Sequence, residues 1–220
     1  MTANIPKKIR SETVFGLMYA GSAFLIWGLS PIYWKALGAV SALEITMHRV
    51  VWSFPFLMCL ILLLRSRHEF TGVLKNGRIL LTLASTAILV SGNWFLYIWA
   101  VNNNYLLQAS LGYYINPLVN VVLGLVFLHE RLRRPQILAV LLAACGVLYL
   151  TLSFGELPWI SLTLALSFGF YALIRKAAPV GALVGLAVET MLLSPPAAVY
   201  LVYLNSQGAD TLLRVSLKLD

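Results

Sequence analysis

Charged residues are scarce in this 220-residue sequence, and their scarcity excludes most classes of soluble protein. They make up 11% of the chain, while hydrophobic residues make up 60% and the mean hydropathy is +0.84. Soluble globular domains are about a quarter charged. Cysteine is scarcer still, and Cys59 and Cys145 both lie in apolar runs, which predicts small buried side chains rather than a disulfide or a metal pair. The composition predicts a polytopic membrane protein.

Catalytic and nucleotide-binding motifs are also missing. His129-Glu130 lacks the second histidine of a zinc-binding HExxH helix, and the sequence contains no P-loop, nucleophile elbow, dinucleotide fingerprint or Cys/His cluster with metal spacing. It therefore predicts no enzyme, no cofactor and no metal. The net charge of +8 does not indicate nucleic-acid binding, because the basic residues lie in short loops and form no stripe interleaved with aromatic residues.

Seven apolar runs are each long enough to cross a bilayer as a helix, and short loops connect them. The first run follows a basic segment, as in a secretory signal, but it continues to Trp34 and is too long for one. Twelve of the sixteen Lys and Arg residues precede run one or follow runs two, four and six, which predicts a cytoplasmic N-terminus. The predicted spans are residues 14–34, 43–64, 79–101, 106–128, 136–152, 158–174 and 182–204.

A weak internal repeat relates the two halves of the chain. A shift of 141 residues aligns 27–55 with 168–196 without a gap, so that run one falls on run six and run two on run seven. Five spans separate the equivalent helices, so the second copy is inverted, as is typical of secondary transporters. This predicts a cytoplasmic segment at 1–13, a first five-helix repeat at 14–152, the start of a second at 158–204 and a polar tail at 205–220. The second repeat is expected to be truncated.

The fourth run carries polar side chains and a helix breaker at membrane depth. Tyr113, Asn116 and Asn120 are spaced i, i+3 and i+7 on one helix face, and Pro117 cannot donate to the Tyr113 carbonyl. These groups predict a polar notch that faces a cavity, or alternatively a kink satisfied by a neighbouring helix. The pair Glu130-Arg131 is predicted to hold the cytoplasmic end of this helix rather than to contact substrate.

The second run carries ionisable residues near its start. Glu44, His48 and Trp52 lie along one helix face, with Arg49 beside them. One hypothesis is that His48 and Arg49 contact an anionic or aromatic substrate, with Trp52 as a wall; the alternative is an ion pair near the membrane surface. In the repeat alignment His48 falls on Glu189, another ionisable residue in an apolar run.

The third run carries Asn93 near its middle, followed by Tyr97 one turn away on the same face. Asn93 is either a cavity residue or a hydrogen-bond partner of a neighbouring helix. Trp99 is predicted to belong to the interfacial aromatic belt. The full predicted substrate-binding set is His48, Arg49, Trp52, Asn93, Trp94, Tyr97, Tyr113, Asn116 and Glu189.

Short motifs over most of residues 12–204 carry a family resemblance. They are Trp27-Gly28, His48-Arg49-Val-Val-Trp52-Ser53, Gly92-Asn93-Trp94, Trp99-Ala-Val-Asn102-Asn103, the segment from Ala109 to Asn120, and Glu130-Arg131. These motifs resemble the EamA family of the drug/metabolite transporter superfamily of bacterial inner membranes. The resemblance implies ten helices in two inverted five-helix repeats, cytoplasmic termini, and relatives that export amino acids and other metabolites.

Together, these observations predict an inner-membrane secondary transporter that works by alternating access. Its expected partners are a small-molecule substrate and the lipid bilayer; the sequence does not indicate an oligomeric state. A non-transporting fragment or an assembly partner of a transporter is the alternative, because the second repeat is expected to be incomplete. A membrane-embedded enzyme is less favoured, because no nucleophile–base pair or metal set is present.

Overall fold

The computed structural model describes residues 7–153, 155 and 157–211, and this part of the chain contains eight helices. Seven of them are long and apolar enough to cross a membrane, which confirms the predicted all-α polytopic class and the number of spans. The predicted polar tail lies outside the described residues from position 212 onward, as do residues 1–6. The helices are α1 (Lys7–Ala36), α2 (Ala42–Leu63), α3 (Arg67–Leu74), α4 (Gly77–Asn102), α5 (Leu106–Phe127), α6 (Arg134–Ser153), α7 (Trp159–Ala177) and α8 (Ala182–Ser206).

The short helix α3 is a difference from the sequence prediction, which placed only a loop between the second and third spans. Its buried residues Phe70 and Val73 are three positions apart, so they share one helix face. That face packs into a cluster with Ile61, Leu83 and Val184. The helix is only eight residues long, and charged residues flank this apolar pair, so the sequence shows no clear apolar periodicity that would predict it.

Five helices form the packed centre of the bundle. The most extensive contacts join α5 to α7 and α2 to α8, while α4 contacts both α7 and α8. The outer helices are attached differently: α1 packs mainly on α4, and α6 packs on α5. No residue is buried in the most apolar windows of these two outer spans.

Small residues allow α5 and α7 to approach closely. Ala109 and Ala165 are fully buried, and a Cβ added to Gly112 would lie 3.1 Å from the Ser161 carbonyl oxygen and 3.2 Å from the Leu164 Cβ. The Ser161 hydroxyl also donates to the Gln108 carbonyl at 2.6 Å. Close backbone approach of this kind is typical of helix contacts within membranes.

Contacts between loops are consistent with helices that alternate in direction. At one end of the bundle, which we call the basic end, Glu69 Oε1 accepts from the Gly181 N–H at 2.8 Å, and Lys176 pairs with Glu130. At the other end, which we call the far end, Lys35 Nζ donates to Asn104 Oδ1 at 2.7 Å. The starts of α2 and α5 therefore lie at the far end, and their C-terminal ends lie at the basic end.

The helices α2 and α8, which the repeat alignment makes equivalent, pack against each other. Each contains a proline at the aligned position, Pro55 in α2 and Pro196 in α8. This contact is consistent with an internal repeat. The division into a first repeat at 14–152 and the start of a second at 158–204 stays a prediction.

The cysteines correct one expectation. Cys59 and Cys145 are free and exposed on the helix surfaces rather than buried. An apolar neighbourhood in the sequence does not distinguish the two cases, because lipid tails are as apolar as a protein core.

Candidate functional site

A cavity of about 110 Å³ lies among α1, α2, α4, α5 and α7, and we call it the central cavity. Aromatic rings and polar side chains share its walls, together with one cation. It is lined by Trp27, Ser30, Trp34, Arg49, Asn93, Trp94, Tyr97, Ala109, Gly112, Tyr113, Asn116, Leu164 and Phe168. Six of the nine residues predicted to bind substrate are in this set.

Arg49 is the cation of the central cavity, and aromatic rings hold it. Its guanidinium carbon lies 3.9 Å from the centroid of the Trp94 ring and 5.6 Å from that of Trp34. The ion pairs in the described part of the chain are Arg175–Glu189 and Lys176–Glu130, so Arg49 takes part in neither. Contact with ring faces stabilises a partly desolvated cation without a carboxylate.

Three aromatic side chains form a continuous wall beside Arg49. The rings of Tyr97 and Tyr113 meet edge to face, with centroids 5.6 Å apart and planes at 81°. The ring of Trp27 lies 6.5 Å from that of Tyr113. Edge-to-face packing fixes the ring orientations, so this wall presents a defined apolar surface that also carries two hydroxyl groups.

Hydrogen bonds fix the two amide side chains that line the cavity. Asn93 Nδ2 donates to the Leu164 carbonyl and to Ser167 Oγ, both at 2.9 Å, and so joins α4 to α7. Asn93 is predicted to be either a cavity residue or a hydrogen-bond partner of a neighbouring helix. In the structure it lines the cavity and also bonds a neighbouring helix. Asn120 Nδ2 donates to Asn116 Oδ1 at 2.7 Å, next to Pro117 inside α5. Asn120 thus holds the side chain of Asn116 at the cavity wall.

His48 and Trp52 do not line the central cavity. They border a separate groove between α1 and α2 with Tyr33 and Phe56, and Trp52 is 70% exposed. Arg49 borders both spaces, because it follows His48 in the helix and points to another face.

Glu189 also lies away from the central cavity, which corrects the expectation that it faces the other candidates across the site. It is fully buried among α4, α7 and α8, where Oε1 accepts from the Thr86 hydroxyl at 2.7 Å and lies 3.6 Å from Arg175 Nε. The Tyr171 hydroxyl donates to Oε2 at 3.3 Å. The repeat alignment pairs Glu189 with His48, but inversion places residues near helix ends at opposite ends of the bundle.

The charged end of α5 contacts α7. Glu130 Oε1 lies 2.5 Å from Lys176 Nζ, and Arg131 is exposed to solvent beside this pair. Trp99 stacks on Tyr105 at the far end, with centroids 5.6 Å apart and planes at 14°.

Seven residues that line the central cavity are outside the predicted substrate-binding set, and the sequence carries a signal for four of them. Trp27, Ser30 and Trp34 are spaced i, i+3 and i+7 on one face of α1, as Tyr113, Asn116 and Asn120 are on α5. Phe168 aligns with Trp27 in the internal repeat. Both lie near the middle of their spans, where an inverted repeat brings equivalent residues together.

A polytopic helical bundle with a polar and aromatic cavity inside it is an arrangement typical of multi-pass membrane transporters. The chain belongs to the EamA-like transporter family, whose model matches residues 14–152. No solved structure is significantly similar to it.

Several curated bacterial proteins are similar to the chain. It is 53% identical over 196 residues to an uncharacterized transporter of Vibrio cholerae, with 89% of this chain and 64% of the relative covered. It is 51% identical over 190 residues to the protein RarD of Salmonella typhimurium (86% and 65% covered) and 50% identical over 190 residues to RarD of Escherichia coli (86% and 64% covered). The chain thus spans slightly less than two thirds of the length of these relatives.

Proposed function

We infer that the protein acts as a secondary transporter of the bacterial inner membrane and moves small organic anions that carry an aromatic or apolar group. The observation that carries this proposal is Arg49, a cation held on two tryptophan rings at the wall of the central cavity. We assign the N-terminus of the chain to the cytoplasm, because basic residues are concentrated in the loops at the basic end. Transport is proposed to proceed by alternating access.

The chemistry of Arg49 favours an anionic ligand. Ionisable side chains are costly inside a membrane domain, and a cation without a carboxylate partner gains from an anion brought to it. A guanidinium can bond a carboxylate through two parallel N–H groups while its flat face stays on a ring. Trp94 supports that face at 3.9 Å.

The remaining walls suit a ligand with a flat apolar part. The ring of Tyr113 meets that of Tyr97 edge to face, and Phe168 borders the same space. Asn93 and Asn116 add amide groups whose positions are fixed by hydrogen bonds. Alternating access requires some of these walls to move apart.

Helix α1 is the element we propose to move. It supplies Trp27, Ser30 and Trp34 to the cavity, but it packs mainly on α4 and buries little surface. An outward displacement of α1 would widen the central cavity without separating α5 from α7 or α2 from α8.

A binding experiment tests the anion preference directly. The purified chain in detergent is titrated with indole-3-carboxylate and with its neutral carboxamide, and the heat of binding is measured by calorimetry. We expect the carboxylate to bind and the carboxamide to bind at least about tenfold more weakly. In the Arg49→Gln variant the two ligands should bind alike, whereas the exposed control Arg67→Gln should keep the preference.

Flux is measured separately, by uptake of the labelled carboxylate into liposomes that contain the chain. Carboxylate-selective binding together with uptake that Arg49→Gln abolishes supports the proposal. Equal binding of acid and amide by the unmodified chain contradicts the anion preference. Selective binding without uptake would favour the alternative, an assembly partner that needs a further chain to transport.

A further inference from the structure

Three side chains with metal-binding groups meet at the far end of the bundle, outside the central cavity. Glu44 and His48 are one turn apart on α2, and Asp210 follows the end of α8. One carboxylate oxygen of Glu44, one imidazole nitrogen of His48 and one carboxylate oxygen of Asp210 all lie within 4.8 Å of one another. We propose that these residues bind a divalent transition-metal ion, with Zn²⁺ as the best chemical match.

His48 supplies the first argument. Its Nε2 atom is buried and has no hydrogen-bond partner in the described part of the chain. A buried polar atom without a partner is uncommon and calls for a specific explanation. Neutral imidazole is a preferred ligand for zinc and related metals, so the His48 ring suits an ion bound among these three side chains.

The position of Glu44 supplies the second argument. Its side chain is almost fully buried, and Thr211 helps to orient its carboxylate. The Thr211 N–H donates to Oε1 at 2.9 Å, and the Thr211 hydroxyl donates to Oε2 at 2.7 Å. A carboxylate oxygen retains further lone pairs after one such bond. Hydrogen bonds of this kind commonly orient the carboxylates that bind metals.

Ligand chemistry narrows the choice of ion. Mg²⁺ and Ca²⁺ prefer sites built from oxygen ligands alone, whereas one imidazole with two carboxylates suits Zn²⁺ or Mn²⁺. Zinc–ligand bonds of about 2.0–2.2 Å place tetrahedral donors roughly 3.3–3.6 Å apart. Side-chain movements of about 1 Å would therefore bring Glu44, His48 and Asp210 into one coordination sphere. A water molecule can supply a fourth ligand.

The proposed site links segments that are far apart in the sequence. Glu44 and His48 belong to the first two turns of α2, whereas Asp210 and Thr211 follow α8. A bound ion would fasten the end of α8 to the start of α2. The proposal is independent of the proposed transport function, because His48 does not line the central cavity.

Metal counting tests the site. The purified chain is stripped with a chelator, incubated separately with ZnCl₂, MnCl₂ or MgCl₂ and desalted; the bound metal is then measured by mass spectrometry and the affinity by calorimetry. We expect one Zn²⁺ per chain, weaker Mn²⁺ binding and no Mg²⁺ retention. His48→Gln and Asp210→Asn should each weaken Zn²⁺ binding by more than about tenfold, and Thr211→Val by about tenfold, because Thr211 orients a ligand.

His68→Gln is the matched control, because His68 is an exposed histidine on α3 at the other end of the bundle. It should bind Zn²⁺ as the unmodified chain does. The proposal is overturned if the unmodified chain retains no Zn²⁺, if His48→Gln and Asp210→Asn bind as tightly as the unmodified chain, or if His68→Gln loses as much as they do. Gel filtration of each variant checks folding; should His48→Gln fail to fold, Asp210→Asn and Thr211→Val, which lie outside the helices, decide the question.

Discussion

Two arginines lie inside the helical bundle at its opposite ends, and their surroundings differ. Arg175 has a counterion: its Nε lies 3.6 Å from Glu189 Oε1, and the carboxylate also accepts from Thr86. Arg49 lies on the rings of Trp94 and Trp34 beside the central cavity and belongs to neither ion pair of the described chain. The fold thus pairs Arg175 with a carboxylate but holds Arg49 on ring faces, which is why we propose that Arg49 receives an anionic ligand.

The physical costs at the two positions explain why this difference is informative. Burying two charges as a pair rarely gives a large net gain, yet removing one partner leaves an uncompensated charge. A cation over aromatic rings is stabilised less than one paired with a buried carboxylate, but its stabilisation does not depend on a single partner. Arg175 should therefore matter most for stability, and Arg49 for binding.

The largest expected effect is at Glu189. Glu189→Ala removes the counterion of Arg175 and should lower the free energy of unfolding by about 3–5 kcal/mol, measured by denaturation in mixed detergent micelles. The double variant Glu189→Leu/Arg175→Met removes both charges and should recover most of this loss. If the double variant is as unstable as Glu189→Ala, packing rather than charge explains the effect.

A smaller effect is expected where α5 meets α7 beside the central cavity. Gly112→Ala places a methyl group 3.1 Å from the Ser161 carbonyl oxygen and should cost about 1–3 kcal/mol in unfolding free energy. It should also weaken carboxylate binding, because Gly112 lines the central cavity. Gly92→Ala is the matched control, since no atom lies within 4 Å of its added Cβ. Equal losses in both variants would show that the helix contact is not responsible.

The internal repeat shows how far the sequence predicts this site. Phe168 and Trp27 are equivalent in the repeat, lie near the middle of their spans and meet at the central cavity. His48 and Glu189 are also equivalent but lie near helix ends, so inversion sends them to opposite ends of the bundle. The alignment pairs residues in both cases, but only their depth in the membrane decides which pairs come together.

Hydropathy predicts the number of spans because membrane depth requires long apolar helices. It does not predict which face of a helix is buried, because lipid and protein core are equally apolar; the exposed Cys59 and Cys145 are an example. The Glu44 and His48 spacing is visible in the sequence, but Asp210 joins them only when the segment after α8 folds back. Contacts between distant segments are therefore the part that composition and periodicity leave open.

Substitution of Arg49 should affect ligand binding more than stability, whereas substitution of Glu189 should affect stability more than binding. Arg49→Met loses ring contacts worth about 0.5–2 kcal/mol, so its unfolding free energy should fall by less than that of Glu189→Ala. Its affinity for indole-3-carboxylate should fall by at least tenfold, about 1.4 kcal/mol, in the same calorimetric titration. Arg49→Lys keeps the charge but loses the bidentate geometry, and an intermediate affinity is expected. A stability loss equal to that of Glu189→Ala would mean that Arg49 has a structural role.

The smallest effect is expected at the third cation, Lys176, whose pair with Glu130 lies at the basic end of the bundle. Its side chain and that of Glu130 are 62% and 50% exposed, so water and salt screen their attraction. Glu130→Gln keeps the shape of the side chain and should change the unfolding free energy by less than about 1 kcal/mol, with a still smaller change at high salt. If Glu130→Gln lowers the unfolding free energy as much as Glu189→Ala does, the burial of an ion pair does not determine its contribution to stability. If the expected order holds, the three cations rank by the environment of their partners: a buried carboxylate at Arg175, ring faces at Arg49 and an exposed carboxylate at Lys176.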